Sequence, residues 1–168
     1  MKTLKESILS STKTGKYFIN PKDIKTYDAA FEYAKFLYGD KVREDKTGLA
    51  SGIGKQFIIT FNKKLSMNVD CYNMSTHFFY NFFDEDKDMI WESDTLETDK
   101  VDWEVLLNPE KWCKEKTQLY TKLVKKYEKQ VIKYYSNWDK RYEANKKVER
   151  YKRTLEIIEY IRKESKNL

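Results

Sequence analysis

Few residues in this sequence are equipped for chemistry, and their spacing argues against most of it. His77 is the single imidazole, and the two cysteines are Cys71 and Cys113. A Cys/His couple needs nucleophile and base within hydrogen-bond reach. On an alternating strand pair His77 falls opposite Tyr72, on the face away from Cys71, so the couple is disfavoured and both cysteines read as buried structural thiols. Asp84, Asp86 and Asp88 alternate as at the start of a calcium loop, but Gly should stand sixth and Glu twelfth, where Met89 and Thr95 are found. That segment reads as an acidic turn. Paired carboxylates can run hydrolysis unaided, and Asp70, Asp84, Glu85 and Asp86 are available, yet nothing selects a pair among them. In Gly48–Lys55, Leu49 occupies the place of the first P-loop glycine, Gln56 follows the lysine and a strand comes next, so phosphate cradling fails on three counts. What remains is a mobile loop before an edge strand, with anion contact through Lys46 and Lys55 as the lesser alternative. The expectation is a protein without catalytic residues, cofactor or metal, hence not an enzyme.

The elements that carry these residues can be read from periodicity. Ile24, Tyr27, Phe31, Ala34 and Tyr38 recur at helical spacing, with Asp23 or Thr26 to cap and Gly39 to end, which predicts a helix over 24–38. Residues 46–55 predict a flexible loop. Phe57, Ile59 and Phe61 then form one strand face, and Leu65, Met67, Val69 and Cys71 form the next. A three-residue loop over 62–64 pairs 61 with 65, 59 with 67 and 57 with 69, placing both apolar sets on one side. A four-residue connection at 73–76 pairs Cys71 with Phe78, Val69 with Tyr80 and Met67 with Phe82. Phe79 and Phe83 point to the opposite face and require cover. A fourth strand follows the acidic turn, around Met89–Glu92. The fold class is α+β: an N-terminal helix, a three- to four-stranded antiparallel meander, and a long C-terminal helix or helical hairpin.

The C-terminal third contains no glycine or proline after Pro109. Tyr120, Val124, Tyr127, Val131, Tyr134 and Trp138 are spaced four and three alternately, a coiled-coil-like seam that reads as a contact surface for a partner. The stripe restarts out of register at Val148, Tyr151, Leu155 and Ile158. One unbroken helix would reach about 85 Å at roughly 1.5 Å per residue, longer than so small a globule can support. A hairpin or sharp bend is therefore favoured, with Ser136–Asp139 able to cap a second helix. Lys122, Lys126, Lys129, Lys133 and Lys140 form a basic ridge opposite the seam, the kind of surface a phosphate backbone rewards through counterion release.

Charge is segregated along the 168 residues. Residues 1–83 carry a net +5, 84–109 a net −8 and 110–168 a net +9, leaving +6 overall. This predicts a globule over 1–109, with an acidic connector at 84–109, and a basic helical arm over 110–168. Only five of the 33 basic residues are Arg, a mix that A/T-rich coding yields without selection for a polyanion. The two cysteines are too few for a secreted disulfide framework and fit a reducing cytoplasm. No signal-peptide core and no run of about 20 apolar residues is present, so no membrane segment is expected.

The opening Leu4-Lys-Glu-Ser-Ile-Leu-Ser-Ser-Thr-Lys-Thr-Gly-Lys16 resembles the starts of small proteins encoded by phages and mobile elements of gut Bacteroidetes. The resemblance covers about a tenth of the chain and implies a viral setting, in host cytoplasm or virion, without carrying over any functional residue. The leading expectation is a non-enzymatic interaction protein whose basic helical arm binds a protein partner or a second copy of itself. The first alternative is nucleic-acid binding through the lysine ridge, and the second is a small carboxylate-based enzyme.

Overall fold

The computed structural model describes residues 20–45, 54–72, 77–94 and 96–166. The architecture is α+β, with one antiparallel sheet followed by long helices. Internal contacts divide the chain into two units, Met1–Leu107 and Asn108–Leu168.

In the first unit, helix α1 spans Tyr27–Tyr38. Thr26 caps it, its Oγ1 accepting from Ala29 N–H at 3.2 Å, and Gly39 at φ +56° ends it, a conformation that costs glycine nothing. The helix begins three residues later than the periodicity suggests. Ile24 instead follows a 3-10 turn over Pro21–Asp23 in extended conformation, and is still buried.

Among the described residues six strands, not three or four, make the sheet. They are β1 Val42–Asp45, β2 Gly54–Asn62, β3 Leu65–Tyr72, β4 His77–Phe83, β5 Met89–Glu92 and β6 Leu96–Glu97. Their order is β1-β2-β3-β4-β5, with β6 also paired to β4. The unforeseen strands are the two whose side chains give no signal. β1 is one valine followed by three charged residues, and β6 has two residues; the open backbone groups of β2 and β4 recruit them. Gly54 and Lys55, expected in a loop, already belong to β2. Residues 46–53 and 73–76 lie outside the described residues.

The register is largely the one the apolar pattern demands. Ile59 pairs with Met67 and Phe57 with Val69. Cys71, Val69 and Met67 pair with Phe78, Tyr80 and Phe82. The β2–β3 turn differs, because Asn62 rather than Phe61 faces Leu65, with a register shift between Thr60 and Asn62. A bulge and a two-residue turn thus do the work expected of a three-residue loop: the extra residue keeps both apolar sets on one face. Helix α1 covers that face. Tyr27 and Phe31 both lie 5.8 Å from the Phe57 ring, and Tyr38 meets Phe61 edge-on at 5.4 Å.

The acidic zone carries strands of the same sheet. β5 and β6 both pair with β4. A short helix, α2 over Trp103–Leu106, is capped by Asp102, and the Trp103 indole stands edge-on to Phe78 at 4.8 Å. The Tyr38 hydroxyl donates to the Leu107 carbonyl.

The second unit is a helical hairpin. Helix α3 spans Pro109–Lys133 and helix α4 spans Trp138–Ser165. Asn108 and Asn137 cap them, accepting from Lys111 N–H at 3.2 Å and Lys140 N–H at 3.1 Å. The helices run antiparallel, since Cys113 near the start of α3 contacts Ile158 near the end of α4, while Tyr127 contacts Tyr151 and Lys147. The stripe that restarts at Val148 is therefore the facing side of a second helix: Ala144, Val148 and Ile158 are buried.

Candidate functional site

Hairpin formation changes what the seam residues do. Val124 is buried, and the Tyr120 and Tyr127 rings lie 5.6 and 5.7 Å from that of Tyr151 on α4. Val131 and Tyr134 are partly buried. Within the hairpin, Tyr120, Val124 and Tyr127 thus pack toward α4, and Tyr127 and Tyr134 keep part of their surface open. Trp138 differs, because the chain turns at 134–137 before reaching it. It opens α4 with 65% of its surface exposed.

Around that turn, large side chains remain in water. Ile132 and Tyr135 are 77% and 79% exposed, and Tyr142 is 44% exposed. Trp138 and Tyr142, one helical turn apart, stack in parallel with planes 6° apart and centroids 5.2 Å apart. Each exposed tyrosine has a cation beside it: Arg141 is 5.9 Å from the Tyr135 ring and Lys146 is 4.4 Å from that of Tyr142. Such contacts set a cation against each of these two rings. Between the two helices is a groove of about 370 Å³ lined by Tyr127, Tyr134, Asp139, Lys140, Glu143 and Lys147 among others.

The expected basic ridge is exposed throughout, at Lys122, Lys126, Lys129, Lys133 and Lys140. It does not stand apart from the seam, however. Lys126 lies 5.6 Å from the Tyr127 ring, and Lys133 and Lys140 lie 5.8 and 5.5 Å from that of Tyr134. Residues 122–150 hold ten basic and four acidic side chains, a net charge of +6 concentrated on the turn half of the hairpin. Spacing alone finds the lysines. Ile132, Tyr135 and Tyr142 fall between seam positions, and their signal is that off-seam apolar residues interrupt a Lys-rich face.

The sheet carries the other candidates and keeps them apart. His77 pairs with Tyr72, while Cys71 pairs with Phe78 and is buried. The Asp84 carboxylate is occupied in its own turn, its Oδ1 accepting from the N–H groups of Asp86 and Asp88 at 3.0 Å each. Lys87 takes φ +68° there. Asp70 is four residues along β3 from Ser66, the partner of Phe83, and so lies about 13 Å from that turn at roughly 3.3 Å per residue. Asp70 is therefore kept apart from the carboxylates of the 84–88 turn. Among the described residues no group of three or more His, Cys, Asp or Glu is placed to hold a metal ion.

Asp70 itself is unusual. It faces away from the α1-covered core, in one row with Gln56 and Phe79, and is only 7% exposed. Its Oδ2 accepts from Asn81 Nδ2 at 3.3 Å, and its Oδ1 has no hydrogen-bond partner. Burial pushes its carboxyl up to about 6; the Gln56 amide opposes that shift and the negative Asp45 adds to it. Cys113 is fully buried, its thiol 3.6 Å from the Ile158 carbonyl and pushed up to about 12 by burial, which leaves it inert as a nucleophile at neutral pH.

Comparison with protein-family models, with curated proteins and with solved structures finds no match for this chain. Among the described residues no helix is long and apolar enough to cross a membrane.

Proposed function

We propose that this is a non-enzymatic binding protein whose helical hairpin engages an anionic macromolecule at its turn. The observation that carries this reading is the shared exposure of Ile132, Tyr135, Trp138 and Tyr142 among Lys133, Lys140, Arg141 and Lys146. Large side chains exposed together mark interaction sites more often than scattered single ones do. The local net charge of +6 sets the sign of the partner. It also argues against a second copy of the chain at this surface. A two-fold contact sets the same patch against itself, and two such patches repel unless counterions are trapped between them. Residues 4–16, which lie outside the described residues, support a phage setting through their resemblance alone.

The test is binding of the full chain to immobilised polyphosphate. Lys129→Glu/Lys133→Glu/Lys140→Glu should elute at clearly lower salt than Lys22→Glu/Lys25→Glu/Lys63→Glu, which makes the same net-charge change in the first unit. Equal elution of the two triple variants would place the anion contact elsewhere and reject the hairpin as the binding arm.

A further inference from the structure

Resting on the reading of the hairpin as an anion-binding arm, we infer that its turn binds single-stranded nucleic acid, with exposed rings taking base faces and the interleaved cations taking phosphates. Two classes of anionic polymer would answer the charge: an acidic protein segment and a nucleic acid. The rings decide between them. An acidic segment offers carboxylates but no flat partner for Trp138, Tyr135 or Tyr142, so these would stay in water or meet charge. A nucleic acid strand alternates flat π-faces with anions along its length, which matches a surface where ring and cation alternate. Arg141 beside Tyr135 and Lys146 beside Tyr142 supply that alternation.

The geometry further selects single over double strands. Trp138 and Tyr142 are already parallel, 6° apart, so the free indole face extends an existing stack by one member. The base faces of a duplex are buried in its own stack, and only an unpaired base can add to this one. In the groove of the same hairpin, lined also by Asp139 and Glu143, Lys140 and Lys147 each lie over a tyrosine ring. Binding of this kind is tolerant of sequence, since every base has a π-face, and steep in salt. Four to five phosphate contacts give a log–log slope of about −3 for a single strand.

Trp138 also provides the readout. Of the four tryptophans, Trp103 and Trp112 are buried and Trp91 is partly buried, leaving Trp138 as the strongly exposed one. The full chain is titrated with a mixed-sequence single-stranded 12-mer, with polyphosphate of matched charge and with polyglutamate, following tryptophan fluorescence and anisotropy of labelled ligand. The inference expects the 12-mer to quench fluorescence and to bind more tightly than either other polymer. It expects Trp138→Ala to abolish the quench and weaken 12-mer binding by roughly five- to a hundred-fold, from the usual range for a base–aromatic stack, while leaving polyphosphate binding unchanged. Tyr135→Ala, tested in parallel, should weaken the 12-mer and keep the quench. Equal affinity for 12-mer and polyphosphate without quenching would overturn nucleic-acid stacking and leave the anion-binding arm standing. Preference for polyglutamate would replace the strand by an acidic protein. Binding to none of the three would remove both readings.

Discussion

Because Asp70 is buried, its protonation is coupled to folding. Its carboxyl is raised from 3.8 to about 6 in the folded protein. The folded state therefore holds the proton more tightly than the unfolded chain between about pH 4 and 6. The contribution is fully present below pH 4 and is lost as pH rises through 6. Above that, the ionised carboxylate sits 7% exposed with one oxygen unbonded, a net cost. Asp70→Asn should raise thermal stability at pH 7.5 by about 1–3 kcal/mol and have little effect at pH 4, as calorimetry at the two pH values would show. Equal gains at both would mean the carboxyl is not raised. A second prediction concerns Cys113, buried with its thiol at about 12. Its alkylation by iodoacetamide at pH 8 should be negligible in the native protein and complete in denaturant; rapid native labelling would contradict the buried position.

At the scale of elements, the hairpin depends on Asn137, whose side chain caps α4 four residues after α3 ends. Asn137→Ala should cost about 1 kcal/mol. Ile158→Ala, in the buried face of α4, should cost about 2–5 kcal/mol. Both are measurable as a lower denaturant midpoint in the helical circular-dichroism signal, and an unshifted midpoint for Ile158→Ala would contradict the packing of α4. This is also the scale at which sequence reading works and fails. The β3–β4 register was legible because every second residue is apolar, and a slip of one would expose the whole set. The α1 stripe was legible for the same reason at period 3.6. β1 was not, because Val-Arg-Glu-Asp holds its place through backbone pairing with β2, and β6 is shorter than any period. Of the heptad-spaced residues on α3, Val124 is buried and Tyr120 and Tyr127 meet Tyr151 of α4; spacing cannot tell whether a facing helix belongs to another chain or to the next segment of the same one. Trp138 continues the pattern numerically and leaves it physically, since the chain reverses at 134–137 just before it.

For the whole molecule, net charge separates the two units more sharply than composition suggests. The −8 of residues 84–109 belongs to the sheet unit, which holds β5, β6 and α2. The +9 of residues 110–168 belongs to the hairpin. A partner drawn by charge is therefore steered toward the hairpin and away from the acidic part of the sheet unit, and raising the salt should slow association more than it speeds dissociation. The most direct measurement of the account is hydrogen–deuterium exchange on the full chain with and without saturating single-stranded oligonucleotide. Protection gained across residues 130–147, with the sheet strands unchanged, is the result the account predicts. Protection gained on the sheet instead, with 130–147 exchanging as in the free protein, would contradict it.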